Sequence, residues 1–288
     1  QEAAQITTAT SATSATNITN TPIQNNPWLL AAALLFLACF IALEIFKERR
    51  HNWPIVELSI FKRAAFSATS LVSLLVGAAL IIAMADIPIF IATVLVRPPL
   101  DSGLALLRLT AMIPVGALLG GWLCPRITCR WTAILGLLPT AIAFWLMHLW
   151  PLDVNWTQIT VSTLIGGLGF GLVIAPIGTT AINSVNRRQI GMASSVVTAL
   201  RMVGMILGLA ALTSWGLGRF RLLAAAFKPP SGVVPFSTGY NTIYAHYLIS
   251  SAHEVYTSVF LASGILCLIA IIPALFLEGK KTITSPRS

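Results

Sequence analysis

Charge is what this sequence has least of. Lys, Arg, Asp and Glu make up 9% of its 288 residues and 56% are hydrophobic, whereas an ordinary soluble domain carries roughly 25% charged residues. That shortfall excludes a water-soluble globule. Acidic residues are scarcest, nine against 18 basic, for a net charge of +9. The basic residues fall in short clusters between long apolar runs rather than on one face, a pattern of membrane topology rather than of a nucleic-acid surface. No nucleic-acid partner is expected.

Cysteine is also sparse. Cys39 and Cys267 lie inside apolar runs, and Cys124 and Cys129 flank a short basic stretch at a spacing unlike CxxC, so all four are expected to be unpaired. His51, His148, His246 and His253 are scattered with no pair at i, i+4, and no metal or cofactor is expected. The first 26 residues are mainly Ala, Thr, Ser, Asn and Gln with no Lys or Arg, so they lack the basic start of a signal peptide. The chain begins at Gln1 without an initiator Met, and a piece of a longer protein is expected.

What is abundant is long apolar sequence. Crossing about 30 Å of hydrocarbon takes about 20 mainly apolar residues. Seven stretches qualify, at roughly 28–46, 66–96, 102–124, 131–150, 157–183, 189–216 and 256–278. The second carries Pro88 and reads as one kinked span, with a break near Asp86 to Pro88 as the alternative. The expected fold is all-α and membrane-embedded, with about seven transmembrane helices, a leading helix followed by a six-helix bundle.

Basic residues are retained on the cytoplasmic side of a membrane. Lys47, Arg49, Arg50, Lys62 and Arg63, then Arg126 and Arg130, Arg187 and Arg188, and finally Lys280, Lys281 and Arg287 occupy alternate connections. This puts the N-terminus outside and the C-terminus in the cytoplasm. The implied organisation is a polar extracellular segment at 1–27, the leading helix at 28–46, a cytoplasmic amphipathic connector at 47–65, the bundle at 66–278 and a cytoplasmic tail at 279–288. A long outer loop near 217–255, with Pro229, Pro230, Gly232, Pro235 and Gly239, is expected to be irregular.

Glycines concentrate in two spans. Gly167 with Gly171, and Gly204 with Gly208, give the small-xxx-small spacing that lets membrane helices approach closely, and Pro176 interrupts the first of these spans. Passive packing explains them, and so does gating by helices that slide on each other. The run Gly167-Leu168-Gly169-Phe170-Gly171 has no GK[ST] and no preceding strand, so it is not a nucleotide site. No clustered Ser, His, Asp or Glu indicates an enzyme.

Charges at membrane depth cost at least about 2.5–3.5 kcal/mol and are functional candidates by default. Asp86, Arg108 and Arg201 meet that description. At 1.5 Å per residue Arg108 sits about 9 Å and Asp86 about 15 Å from the outer end of their spans, near enough to pair, while Arg201 lies about 18 Å deep from the cytoplasmic side. Asp86 is expected to be a protonatable group whose proton loading changes with the access state, or one half of a fixed pair with Arg108. Arg201 is expected on the substrate path, or capping carbonyls of the Gly-rich span.

The stretch Gly121-Trp122-Leu123-Cys124-Pro125-Arg126-Ile127-Thr128-Cys129-Arg130 resembles the G-x-L-a-D-R-x-G-x-R/K cytoplasmic loop signature of the major facilitator superfamily. Gly121, Leu123, Arg126 and Arg130 match, while Pro125 and Thr128 replace its Asp and second Gly. Pro54-Ile55-Val56-Glu57-Leu58-Ser59-Ile60-Phe61, Ser102-Gly103-Leu104 and Gly191-Met192-Ala193-Ser194-Ser195 are similar to stretches of the fourteen-span drug:proton antiporters. The resemblance implies the C-terminal half of such an antiporter, exporting amphipathic small molecules or drugs by alternating access in a plasma or inner membrane. Its implied partners are the lipid bilayer, a small-molecule substrate and an N-terminal six-helix bundle absent from this sequence. The alternative is a non-transporting scaffold or receptor derived from a truncated transporter.

Overall fold

The computed structural model describes residues 58–227 and 238–277, and among these the chain is all-α. Six helices follow one another: α1 Ala64–Thr93, α2 Pro99–Ile127, α3 Cys129–His148, α4 Trp156–Asn183, α5 Ile190–Ala225 and α6 Thr238–Ala274. Short 3-10 turns at Leu58–Lys62 and Arg187–Gln189 precede α1 and α5. All six helices are long and apolar enough to cross a membrane. Helices are the expected form there, because each satisfies its own backbone hydrogen bonds where water cannot. The expected leading span 28–46, the segment 1–27, the tail 279–288 and most of the connector 47–65 lie outside the described residues.

Helix boundaries follow local chemistry. Pro98 and Pro99 start α2, where a missing N–H costs nothing. Pro88 lies inside α1, which runs unbroken through Asp86 and ends where the Val94 N–H donates to the Phe90 carbonyl at 2.9 Å. The alternative of a break at Asp86 to Pro88 is thereby set aside.

Two expectations need correction. The long irregular loop near 217–255 is mostly helical, since α5 continues to Ala225 and α6 begins at Thr238. The stretch between them, with Pro229, Pro230, Gly232 and Pro235, lies outside the described residues. Cys124 and Cys129, expected unpaired, are joined in a disulfide, their Cα atoms 4.4 Å apart. The reason is the corner between α2 and α3: a single residue, Thr128, separates the helices and folds the two ends together.

Glycines decide which helices touch. A Cβ on Gly77 would meet the Arg201 carbonyl and one on Gly204 the Leu74 carbonyl, so α1 and α5 approach to backbone contact. The Ser73 hydroxyl donates to the Val197 carbonyl at 2.9 Å in the same interface. Contacts advance along both helices together, which makes the pair parallel. Gly167 against the Leu109 carbonyl and Gly171 against the Ile113 carbonyl set the same relation between α4 and α2. α3 runs antiparallel to both α4 and α6, with Gly169 against Thr140 and Gly264 beside Phe144. The Arg63 guanidinium donates to the Ser184 carbonyl at 2.5 Å, tying the start of α1 to the end of α4.

At about 54 Å for the 36 residues of α5, and slightly more for α6, these two helices exceed the full thickness of a bilayer. Their joined ends are braced by Arg219 and Glu254 at 3.1 Å, by the Tyr247 hydroxyl donating to the Leu223 carbonyl at 2.8 Å, and by Phe227 packed on Tyr240, Tyr244 and Tyr247.

Candidate functional site

The three intramembrane charges do not converge. Asp86 is 1% exposed and its Oδ2 is buried without a hydrogen-bond partner. On α1 it is nine residues from Gly77, half a turn out of phase, so it faces away from α5. Its neighbour is Tyr256 of α6, whose hydroxyl lies close to Asp86 and Thr93.

One turn further along α1, Phe90 is fully buried and anchors a ring cluster with Trp150, His253, Tyr256 and Phe260. Two histidines clamp α3 and its following turn to α6. His148 Nδ1 meets the Thr257 carbonyl at 2.8 Å, and His253 Nε2 meets the Trp150 carbonyl at 2.7 Å. Asp86 therefore lies one helical turn from this aromatic cluster. Tyr256 and Phe90 were not singled out from the sequence, where both are ordinary members of apolar runs; the signal available was that Phe90 follows Asp86 by four residues and shares its face.

Arg108 is not the partner of Asp86, which corrects the expected pair. Its guanidinium lies over the Trp156 ring, 4.9 Å from the centroid, at the start of α4. Side chains on a helix lean toward its N-terminus, which for α2 is the end near Arg97, and a long Arg reaches an interface that way. Arg201 likewise caps no carbonyl of the Gly-rich α4 among the described residues. It packs against α1 at Gly77 with its Nε buried and unpartnered.

The loop signature does not lie on a loop. Gly121, Leu123 and Arg126 belong to the last turns of α2 and Arg130 to the first turn of α3. Arg126 stacks on Trp122, 3.6 Å from the ring centroid. Thr128, at the signature's second Gly, has φ 133° and ψ 149°, a conformation essentially reserved for glycine. Of the helix-packing residues, Gly167, Gly171, Gly204 and Gly208 all sit at close helix contacts and Pro176 is buried inside α4.

α2 and α5 are the least covered helices. Only 22% and 17% of their most apolar stretches are buried, against 44–61% in the other four. On α5, Met202, Val203, Ile206 and Leu207 are exposed side by side.

With six membrane-length helices packed in this way, the solved structure of a bacterial homologue of the human lysosomal transporter Spinster, inward-facing and occupied, aligns with a TM-score of 0.59 at 18% identity, over 75% of this chain and 50% of that one. The six-helix fold is shared with that structure. No protein-family model matches the sequence. Curated relatives do: a triacylglyceride transporter of Mycolicibacterium smegmatis is 32% identical over 266 residues, 88% of this chain and 47% of its own length. One from Mycobacterium tuberculosis is 31% identical over 268 residues, 88% of this chain and 50% of its own length. The chain thus spans about half the length of the curated relatives it matches. It is a multi-pass membrane protein.

Proposed function

We propose that this chain supplies one half of a secondary active transporter whose cargo is an acylglycerol-like lipid or a similar amphipathic molecule. The observation that carries the reading is the match to half of the triacylglyceride transporters together with the uncovered faces of α2 and α5. A second bundle against those faces encloses a cavity between two halves, the arrangement that alternating access requires. The apolar side chains on the open face of α5 favour acyl chains among the amphipathic small molecules or drugs that the sequence resemblance implies.

Coupling in this reading is to protons, through Asp86. A buried carboxylate with no cationic partner gains or loses its charge only with a proton, and Tyr256 stands beside it to relay one. Arg201, at the α1 and α5 contact, places a second charge where those helices shift against one another. The basic ends near Arg63, Arg126, Arg187 and Arg188 are cytoplasmic, which puts the joined ends of α5 and α6 outside.

The test is proton-driven movement of a fluorescent acylglycerol in proteoliposomes carrying the full-length protein that contains this chain. Asp86→Asn abolishes the pH-gradient dependence while size-exclusion and circular dichroism profiles stay unchanged. Gradient-driven movement at the unaltered rate removes Asp86 from coupling, and movement of cationic dyes but not acylglycerols returns the cargo to the drug class.

A further inference from the structure

The start of α4 gathers positive charge that forms no ion pair among the described residues. Arg97, in the α1 to α2 connection, and Arg108, in the third turn of α2, both place their guanidinium carbons 4.9 Å from the centroid of the Trp156 ring. The two cations are therefore no more than twice that distance apart. Among the described residues no carboxylate lies within ion-pairing distance of either, and Arg108 Nη1 is buried without a hydrogen-bond partner. Arg97 spends one donor on the Val154 carbonyl at 3.3 Å.

Local backbone adds to the same field. Trp156 is the first residue of α4, and the Asn155 side chain makes no capping hydrogen bond, so the first-turn N–H groups and the positive end of the helix dipole are open. Val96, immediately before Arg97, has φ 49°, a left-handed conformation disfavoured for a β-branched residue. The Arg97 N–H donating to the Ile91 carbonyl at 3.2 Å holds that turn. Strain of this kind persists where the surroundings over-determine it, and here it presents a cation beside a second cation.

We infer that Arg97, Arg108 and the open first turn of α4 form a binding site for a phosphate group, with Trp156 as its platform. Two guanidiniums on one aromatic platform, no more than twice 4.9 Å apart, repel each other when alone, and a phosphate bound beside them relieves that repulsion with charge-assisted hydrogen bonds. Trp156 marks the depth at which membrane headgroups lie, so the phosphate is that of an anionic glycerophospholipid. The site is separate from the Asp86 region and does not depend on the transport reading.

Native mass spectrometry of the full-length protein that contains this chain, in a neutral detergent, tests this with three probes: dioleoyl-phosphatidylglycerol, dioleoyl-phosphatidylcholine and inorganic phosphate. Phosphatidylglycerol is expected to bind at least tenfold more tightly than phosphatidylcholine, and Arg97→Gln and Arg108→Gln each to erase most of that preference. Arg126→Gln, which removes the Arg stacked on Trp122 near the opposite ends of these helices, is expected to leave it intact. Where Arg108→Gln fails to fold, Arg108→Lys and Arg97→Gln carry the test. Inorganic phosphate displacing the lipid at comparable concentration keeps the phosphate site and assigns it to the free anion. Equal binding of the two lipids, or an equal loss with Arg126→Gln, overturns it.

Discussion

The backbone carbonyl of Arg201 occupies the space that a side chain on Gly77 would need. This contact puts Arg201 at a backbone-to-backbone crossing of α1 and α5, and it makes that interface dependent on a missing methyl group. In lipid, where no hydrophobic force drives helices together, such close approach is itself a main source of association.

Gly77→Leu should therefore lower the stability of the purified protein by about 2 kcal/mol, the cost typical of overpacking a filled interface. Gly218→Ala, on the same pair of helices but with open space around it, should be neutral or slightly stabilising through helix propensity. Thermal unfolding in detergent, followed by helical ellipticity, compares the two.

Thr128 carries a backbone conformation suited to glycine at the corner between α2 and α3. Thr128→Gly should raise stability by about 1 kcal/mol, the lower part of the range for relieving such a residue. Thr128→Ala retains its Cβ and should leave the melting temperature close to that of the unaltered protein. An equal gain from both would place the effect in the side chain rather than in the backbone.

Phe90 contacts four other rings and is fully buried. Phe90→Ala should cost about 3 kcal/mol, as large aromatic deletions do, and should also open Asp86 to solvent. Labelling of Asp86 by a carbodiimide, read by peptide mass spectrometry, should rise in that variant and not in Phe276→Ala, whose side chain is already exposed.

His148 and His253 each hold a carbonyl across the α3 and α6 boundary. Replacing either by Phe keeps a ring and removes the bond, so each should cost about 1 kcal/mol, the net worth of one hydrogen bond. Hydrogen exchange should accelerate locally, in 144–152 and 253–260, without change at the Gly77 crossing.

Much of the architecture was legible in the residues. Apolar run length set the six described spans, because a helix that crosses lipid must satisfy its backbone within itself and so takes its length from the bilayer. The span starts expected at 102 and 157 fall close to the observed helix starts at Pro99 and Trp156. Gly167, Gly171, Gly204 and Gly208 announced close contacts by their spacing, though not with which helices. The helical flanks at 217–225 and 238–255 read as loop from their polar residues; they are helical because Tyr247, Arg219 and Glu254 brace α5 against α6 there.

Charge partners were beyond reach of the sequence. Depth along a helix follows from residue count, and by that measure Asp86 and Arg108 belong together. Which way each faces depends on the rotation of every helix about its own axis, and that is decided by glycines meeting carbonyls on a neighbouring helix. Packing Gly167 and Gly171 onto Leu109 and Ile113 carries Arg108 to Trp156, while packing Gly77 onto Arg201 turns Asp86 toward Tyr256. The sequence by itself determined a membrane-spanning helical bundle and the depth of its charges; only the tertiary structure decided which of them meet, because rotation about a helix axis is set by contacts between helices and not by spacing within one.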